Sequence, residues 1–141
     1  MKKDEHFHII VNLRYLKELM EDLITKMNSD LPPEKRRGGA YVSIFDAETG
    51  ELVICFAVGN FPPEKAAKYQ EYSLGKGKQL FRHLSEGHTN SSESADEGYP
   101  EGAVYVEGSE YISSVSGQEP QNDTKLSLAN DQMLRKAEYF C

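Results

Sequence analysis

The stretch "YVSIFDAETGELVICFAV", Tyr41 to Val58, constrains the fold more than any other part of this sequence. Two runs rich in β-branched and aromatic residues, Ala40 to Asp46 and Glu51 to Val58, enclose Ala47-Glu48-Thr49-Gly50. The pattern predicts a β-hairpin whose turn ends in Gly, where positive φ costs little. Asp46 opens that turn and reads as a turn residue whose carboxylate accepts backbone N–H groups. Tyr41, Ser43 and Phe45 alternate with Val42 and Ile44, so both faces of the first strand carry apolar groups. A strand of that kind needs cover on part of each face.

The flanking segments supply the cover. Ile9, Leu13, Leu16, Met20, Leu23 and Met27 recur at steps of three and four, the stripe of an amphipathic helix. Asn28-Ser29-Asp30 and Pro32-Pro33 end it. A second helix starts at Pro63 or Glu64, where Pro suits the first turn, and runs to about Leu84. Gly75 and Gly77 lie inside it and mark a kink, a helix end or the close approach of another backbone. Strands are expected at Ala103 to Val106 and Tyr111 to Val115, around the turn Glu107-Gly108-Ser109-Glu110. A last helix, possible from Pro120, places Leu126, Ala129, Met133 and Ala137 on one face. The order is α-β-β-α-β-β-α, an α+β layered domain with an antiparallel sheet.

Residues 86 to 101 differ in kind. They hold Glu86, Glu93, Asp96, Glu97 and Glu101, no Lys or Arg, and the run Ser91-Ser92-Glu93-Ser94. Composition of that type predicts a mobile acidic loop.

A chain of 141 residues is expected to form one domain, 1–141, with a core that needs no staple. Net charge −7 argues against nucleic acid as partner, because phosphate binding needs clustered Lys and Arg. The basic run Lys35-Arg36-Arg37 is short and reads as a solvated loop. The two cysteines, Cys55 in an apolar run and Cys141 at the end, make no disulfide framework. No stretch is long and apolar enough to span a bilayer, and Met1 to His8 lacks the apolar core of a secretory signal. The expectation is a cytoplasmic chain without a membrane partner.

Catalytic motifs are not found. Gly75-Lys76-Gly77-Lys78 lacks the rest of a phosphate loop and does not directly follow a strand. Ser116-Gly117 is not a nucleophile elbow, and Cys55 reads as a small buried hydrophobe. His6 and His8 alternate at the N-terminus. His83, near the end of the second helix, is the better candidate for a metal or an axial haem ligand, against a plain helix-end histidine.

Several landmarks together resemble the GlcG-like family, which includes the HbpS haem-binding proteins and the PduO C-terminal domain. They are "YVSIFDAETGEL", "EKAAKYQEYSLGKGKQLFRH", "GYPEGAVYVEG" and "YISSVSGQEPQND". The last carries Ile112, Val115, Ser116, Gly117 and, later, Asp123. Ser113 and Ser114 stand where that family has glycines. The resemblance covers about Ile9 to Ala137. It implies a profilin-like fold with a central antiparallel sheet, homo-oligomers, and haem or corrinoid association in some members. No histidine falls inside a matched motif, so the resemblance assigns no haem ligand.

Two functions are compatible with these residues. One is a non-catalytic small-molecule binding or accessory domain, for haem or a corrinoid-like ligand. Its pocket would lie near Ser116, Gly117, Asn122 and Asp123, where helix N–H groups favour an anion. Asn122 and Asp123 equally suit a plain helix start. The alternative is an oligomeric protein-interaction scaffold without ligand, in which Gly75 and Gly77 permit close helix packing.

Overall fold

A computed structural model describes residues 6–138. Residues 1–5 and 139–141, Cys141 among them, lie outside that range, and the side chains of Phe7, His8, Ala137 and Glu138 are not described.

The hairpin forms as the sequence predicts. Strands β1 (Gly39–Asp46) and β2 (Leu52–Gly59) pair antiparallel, with Ser43 opposite Cys55, and Gly50 takes φ 78°. Asp46 accepts the N–H groups of Glu48 at 2.8 Å and Thr49 at 3.1 Å, which fixes the turn. Strands β3 (Ala103–Tyr105) and β4 (Tyr111–Ser116) complete one antiparallel sheet of order β2-β1-β4-β3. β4 therefore lies beside β1, and the sheet's centre is buried on both faces.

Helices cover those faces. The N-terminal stripe forms two helices, α1 (Phe7–Val11) and α2 (Leu13–Asn28), separated at Asn12. With α4 (Pro120–Glu138) they pack on the face that presents Val42, Ile44, Phe56 and Val115. Helix α3 (Pro63–Arg82) covers the other face, where Leu80 meets Phe45, Ala103 and Ile112. This is a profilin-like α+β domain with flanking helices. Among the described residues, no helix is long and apolar enough to cross a membrane.

The two glycines of α3 neither kink nor end it. A Cβ on Gly75 would stand 2.2 Å from the Tyr99 ring, and one on Gly77 would stand 2.1 Å from the Phe45 ring. The space is filled by side chains of the same chain, not by the backbone of another helix.

A 3-10 turn, Leu84–Glu86, leads into the acidic segment, and a 3-10 stretch, Ser91–Glu97, kinked at Ser94, lies within it. Asn90 and Glu93 form a capping box at the second, each side chain bonding the other's backbone. The buried Gln79 side chain of α3 binds the segment at three points. It donates to the Ser91 and Tyr99 carbonyls, both at 2.9 Å, and accepts the Tyr99 N–H at 3.1 Å. Ser91 adds a bond from its hydroxyl to the Pro100 carbonyl at 2.7 Å.

Candidate functional site

The turn between β4 and α4 is fixed by its own glycine and by side chains from other elements. Gly117 takes φ 142°, and a Cβ there would lie 2.7 Å from both Ala40 Cα and the Gly39 carbonyl. Only glycine meets both demands. Gln118 follows, nearly fully buried, and its amide donates to the Arg37 carbonyl at 2.8 Å and the Gly39 carbonyl at 2.9 Å. Asn28, at the end of α2, donates to the Gln118 side chain at 3.1 Å and accepts the Arg37 N–H at 2.9 Å. Three elements thus hold one turn.

Beneath the turn lies a buried ion pair. Lys76 Nζ of α3 donates to Asp123 Oδ2 of α4 at 3.0 Å and to the Val115 carbonyl at 2.9 Å. The other Asp123 oxygen accepts the Gln118 N–H at 2.9 Å. The side chains of Lys76 and Asp123 are only 2% and 4% exposed. Burial disfavours both charges. It pushes the Asp123 carboxyl up to about 6, against the pull of Lys76 and the backbone N–H groups of Gln118 and Gly117. It pulls the Lys76 ammonium below the usual lysine range, against Asp123 and Glu101. The pair's first consequence is structural: it locks α3 to the start of α4.

Above the pair the surface opens into a cleft of about 360 Å³ between α3 and the turn. Ser116, Gly117, Gln118, Glu119, Pro120 and Asp123 form one wall. Glu64, Lys65, Lys68, Tyr69, Tyr72 and Lys76 of α3 form the other, with Arg37 and Pro100 at the ends. Lys68 Nζ lies 5.7 Å from the Tyr72 ring centre, a cation–π contact. Tyr72 meets Tyr99 edge-on at 5.2 Å, and Tyr69 meets Phe61 at 5.5 Å. Arg37 is paired with Glu119 at 3.5 Å. Among the described residues Lys65 and Lys68 have no ion-pair partner.

Of the residues singled out from sequence, Ser116, Gly117 and Asp123 come together at this cleft. Asn122 does not line it; its N–H bonds the Glu119 carbonyl at 2.9 Å, within the start of α4. His83 is elsewhere, past the end of α3, roughly 10 Å along the helix axis from Lys76 at 1.5 Å per residue. Its two ring nitrogens contact the carboxylates of Glu86 and Glu97. Among the described residues no group of three His, Cys, Asp or Glu side chains could hold a metal ion.

The α3 wall was missed by sequence reasoning, although its signal was present. Lys65, Lys68, Tyr72 and Lys76 follow steps of three and four, one polar stripe on the helix.

No family model matches the sequence, and no curated protein matches it. Among solved structures, the Klebsiella pneumoniae protein ORFY, of family DUF336, superposes with TM-score 0.55. It is 13% identical, over 86% of this chain and 88% of that one. DUF336 is the family known as GlcG-like. At that identity the likeness shows the fold. A second structure, the Ybr137w protein, is 14% identical over 83% of this chain and 74% of that one. Its TM-score of 0.39 carries no inference.

Proposed function

We propose that this chain is a non-catalytic ligand-binding domain whose cleft between α3 and the β4–α4 turn accepts a small anionic molecule. The observation that carries the reading is the stripe Lys65, Lys68, Tyr69 and Tyr72 facing a rigid turn in a chain of net charge −7. Lys65 and Lys68, without an ion-pair partner among the described residues, and the Tyr72 ring under Lys68 offer charge and a flat apolar surface together, which is what a small-molecule cleft needs. The buried Lys76–Asp123 pair supports a binding role over a catalytic one. Lys76 and Asp123 are closed off from solvent and spend their hydrogen bonds on each other, the Val115 carbonyl and the Gln118 N–H.

The resemblance to the GlcG-like family brings haem and corrinoid ligands into consideration. The lysines suit the carboxylates of such a ligand. The lining contains no histidine, cysteine or methionine, so an iron there would find only tyrosine oxygen of the usual haem ligands. The reading therefore rests on anion recognition and not on metal ligation. Calorimetric titration with haem and with pyrophosphate tests it. Lys65→Glu/Lys68→Glu weakens binding of either probe by at least about tenfold, the loss expected when charged hydrogen bonds are removed. His83→Ala retains binding of both probes, because His83 does not line the cleft. Equal affinity in the double variant would refute the cleft.

The scaffold reading is favoured by a different feature. Ile10, Val11 and Tyr15 are 61%, 55% and 65% exposed on consecutive turns of α1 and α2. A homo-oligomer built on that face is the form this alternative takes, since Gly75 and Gly77 are occupied within the chain. Light scattering on wild type and Val11→Asp/Tyr15→Glu separates it: a wild-type oligomer that becomes a monomer in the variant supports it. Cytoplasmic residence is proposed alongside, on the cysteine usage alone.

A further inference from the structure

His83 is held on both sides of its ring. Nδ1 meets a carboxylate oxygen of Glu86, and Nε2 meets one of Glu97. A carboxylate accepts hydrogen bonds and donates none, while a neutral imidazole has a single N–H. Both contacts at once therefore require a proton on each ring nitrogen. Glu86 belongs to the 3-10 turn just past α3, and Glu97 ends the second 3-10 turn. The contact thus ties the end of the helix to the far end of the acidic segment.

The other charged groups around it are few. Arg82 of α3 donates to the same Glu97 carboxylate at 3.2 Å. The His88 ring stacks on His83 with centroids 4.9 Å apart. Glu93 lies beyond it, its carboxylate accepting the N–H groups of Thr89 at 2.8 Å and Asn90 at 3.2 Å.

We propose that His83 is a proton-operated clasp that fastens the acidic segment to α3 and lets one of its two carboxylates go when the ring loses a proton. The proton leaves to solvent, and the single N–H that remains can serve only Glu86 or Glu97. Arg82 gives Glu97 a second partner, so Glu97 is held more loosely after release but not abandoned. Two residues past Glu97, Tyr99 packs on Gly75 and against Tyr72, and Pro100 stands at the end of the cleft. The clasp therefore sits next to the stretch that forms one end of the cleft wall.

The titration directions agree with the geometry. Bonds to Glu86 and then Glu97 raise His83 above its ordinary 6.5, and bonds from His83 and then Arg82 lower Glu97 below its ordinary 4.5. A raised histidine contributes stability fully below 6.5 and loses it as pH rises through its own higher value. A lowered glutamate contributes fully above 4.5 and loses it as pH falls through its own lower value. The clasp is closed between those limits and opens on the alkaline side.

Two measurements on the whole chain decide this. Long-range proton–nitrogen NMR at about pH 6, below the ordinary histidine value, shows both His83 ring nitrogens protonated in wild type. In Glu97→Gln the ring titrates at lower pH. Hydrogen exchange at Gly98, whose N–H bonds the Ala95 carbonyl, is followed from about pH 6 to about pH 9 after correction for intrinsic rates. Protection falls several-fold in wild type and is low and flat in His83→Gln. A singly protonated ring at the lower pH, an unmoved titration in Glu97→Gln, or an equal fall in His83→Gln overturns the proposal.

Discussion

Lys76 and Asp123 stand 47 residues apart in sequence and meet at 3.0 Å in the interior. A charge stranded by loss of its partner costs far more than the pair contributes. Lys76→Met is expected to cost about 3–5 kcal/mol in urea unfolding, because Asp123 is left buried without its cation. Lys76→Met/Asp123→Asn recovers a large part of that loss, and the departure from additivity measures the coupling. The pair also sets a pH dependence. The folded chain holds the Asp123 proton more tightly than the unfolded one, at about 6 against 3.8. Its contribution to stability is therefore present at low pH and lost as pH rises through about 6. The lowered Glu93 and Glu97 act only below 4.5, and the raised His83 acts in the same sense as Asp123 at higher pH. The urea midpoint should thus rise between about pH 7.5 and about pH 5, with a smaller rise in Asp123→Asn. None of this was legible in the sequence. Asp123 reads as a ligand candidate or as a plain helix-start residue, and its partner lies in Gly75-Lys76-Gly77-Lys78, which lacks the rest of a phosphate loop. A pairing across 47 residues leaves no local pattern.

At the scale of elements, periodicity carried most of the answer. The hairpin, the three long helices and the β4–α4 corner follow from spacing of apolar residues and from turn chemistry. What the pattern could not give is what fills a gap. Gly75 and Gly77 announced a close approach, and only packing shows that Tyr99 and Phe45 make it. Gly77→Ala should gain about 1 kcal/mol of helix propensity. It should lose about 1–3 kcal/mol by driving a methyl into Phe45. A net fall in Tm, reversed in Gly77→Ala/Phe45→Leu, is the expected outcome. The acidic segment read as mobile because its composition lacks apolar anchors. Its anchors are polar and long-range, Gln79 above all. Amide exchange tests that expectation directly: the Tyr99 N–H should be protected in wild type and exchange at least several-fold faster in Gln79→Ala.

For the whole molecule, the fold was legible because every layer repeats the same demand, apolar strands that must be covered on both faces. The candidate site was legible by half. Ser116, Gly117 and Asp123 came from the turn, whose residue types announce themselves. The opposing wall lies on a helix face rich in Lys and Tyr, residues that look like ordinary solvated surface until the fold brings a rigid turn against them. The central claim is that these two walls form one anion-binding cleft. Mapping haem and pyrophosphate on the nitrogen-labelled protein by NMR tests it most directly. The account predicts shifts confined to the cleft lining, residues 64–76 and 116–123 with Arg37 and Pro100 at its ends, that vanish in Lys65→Glu/Lys68→Glu. Shifts centred on His83, or shifts that survive in the double variant, would contradict it.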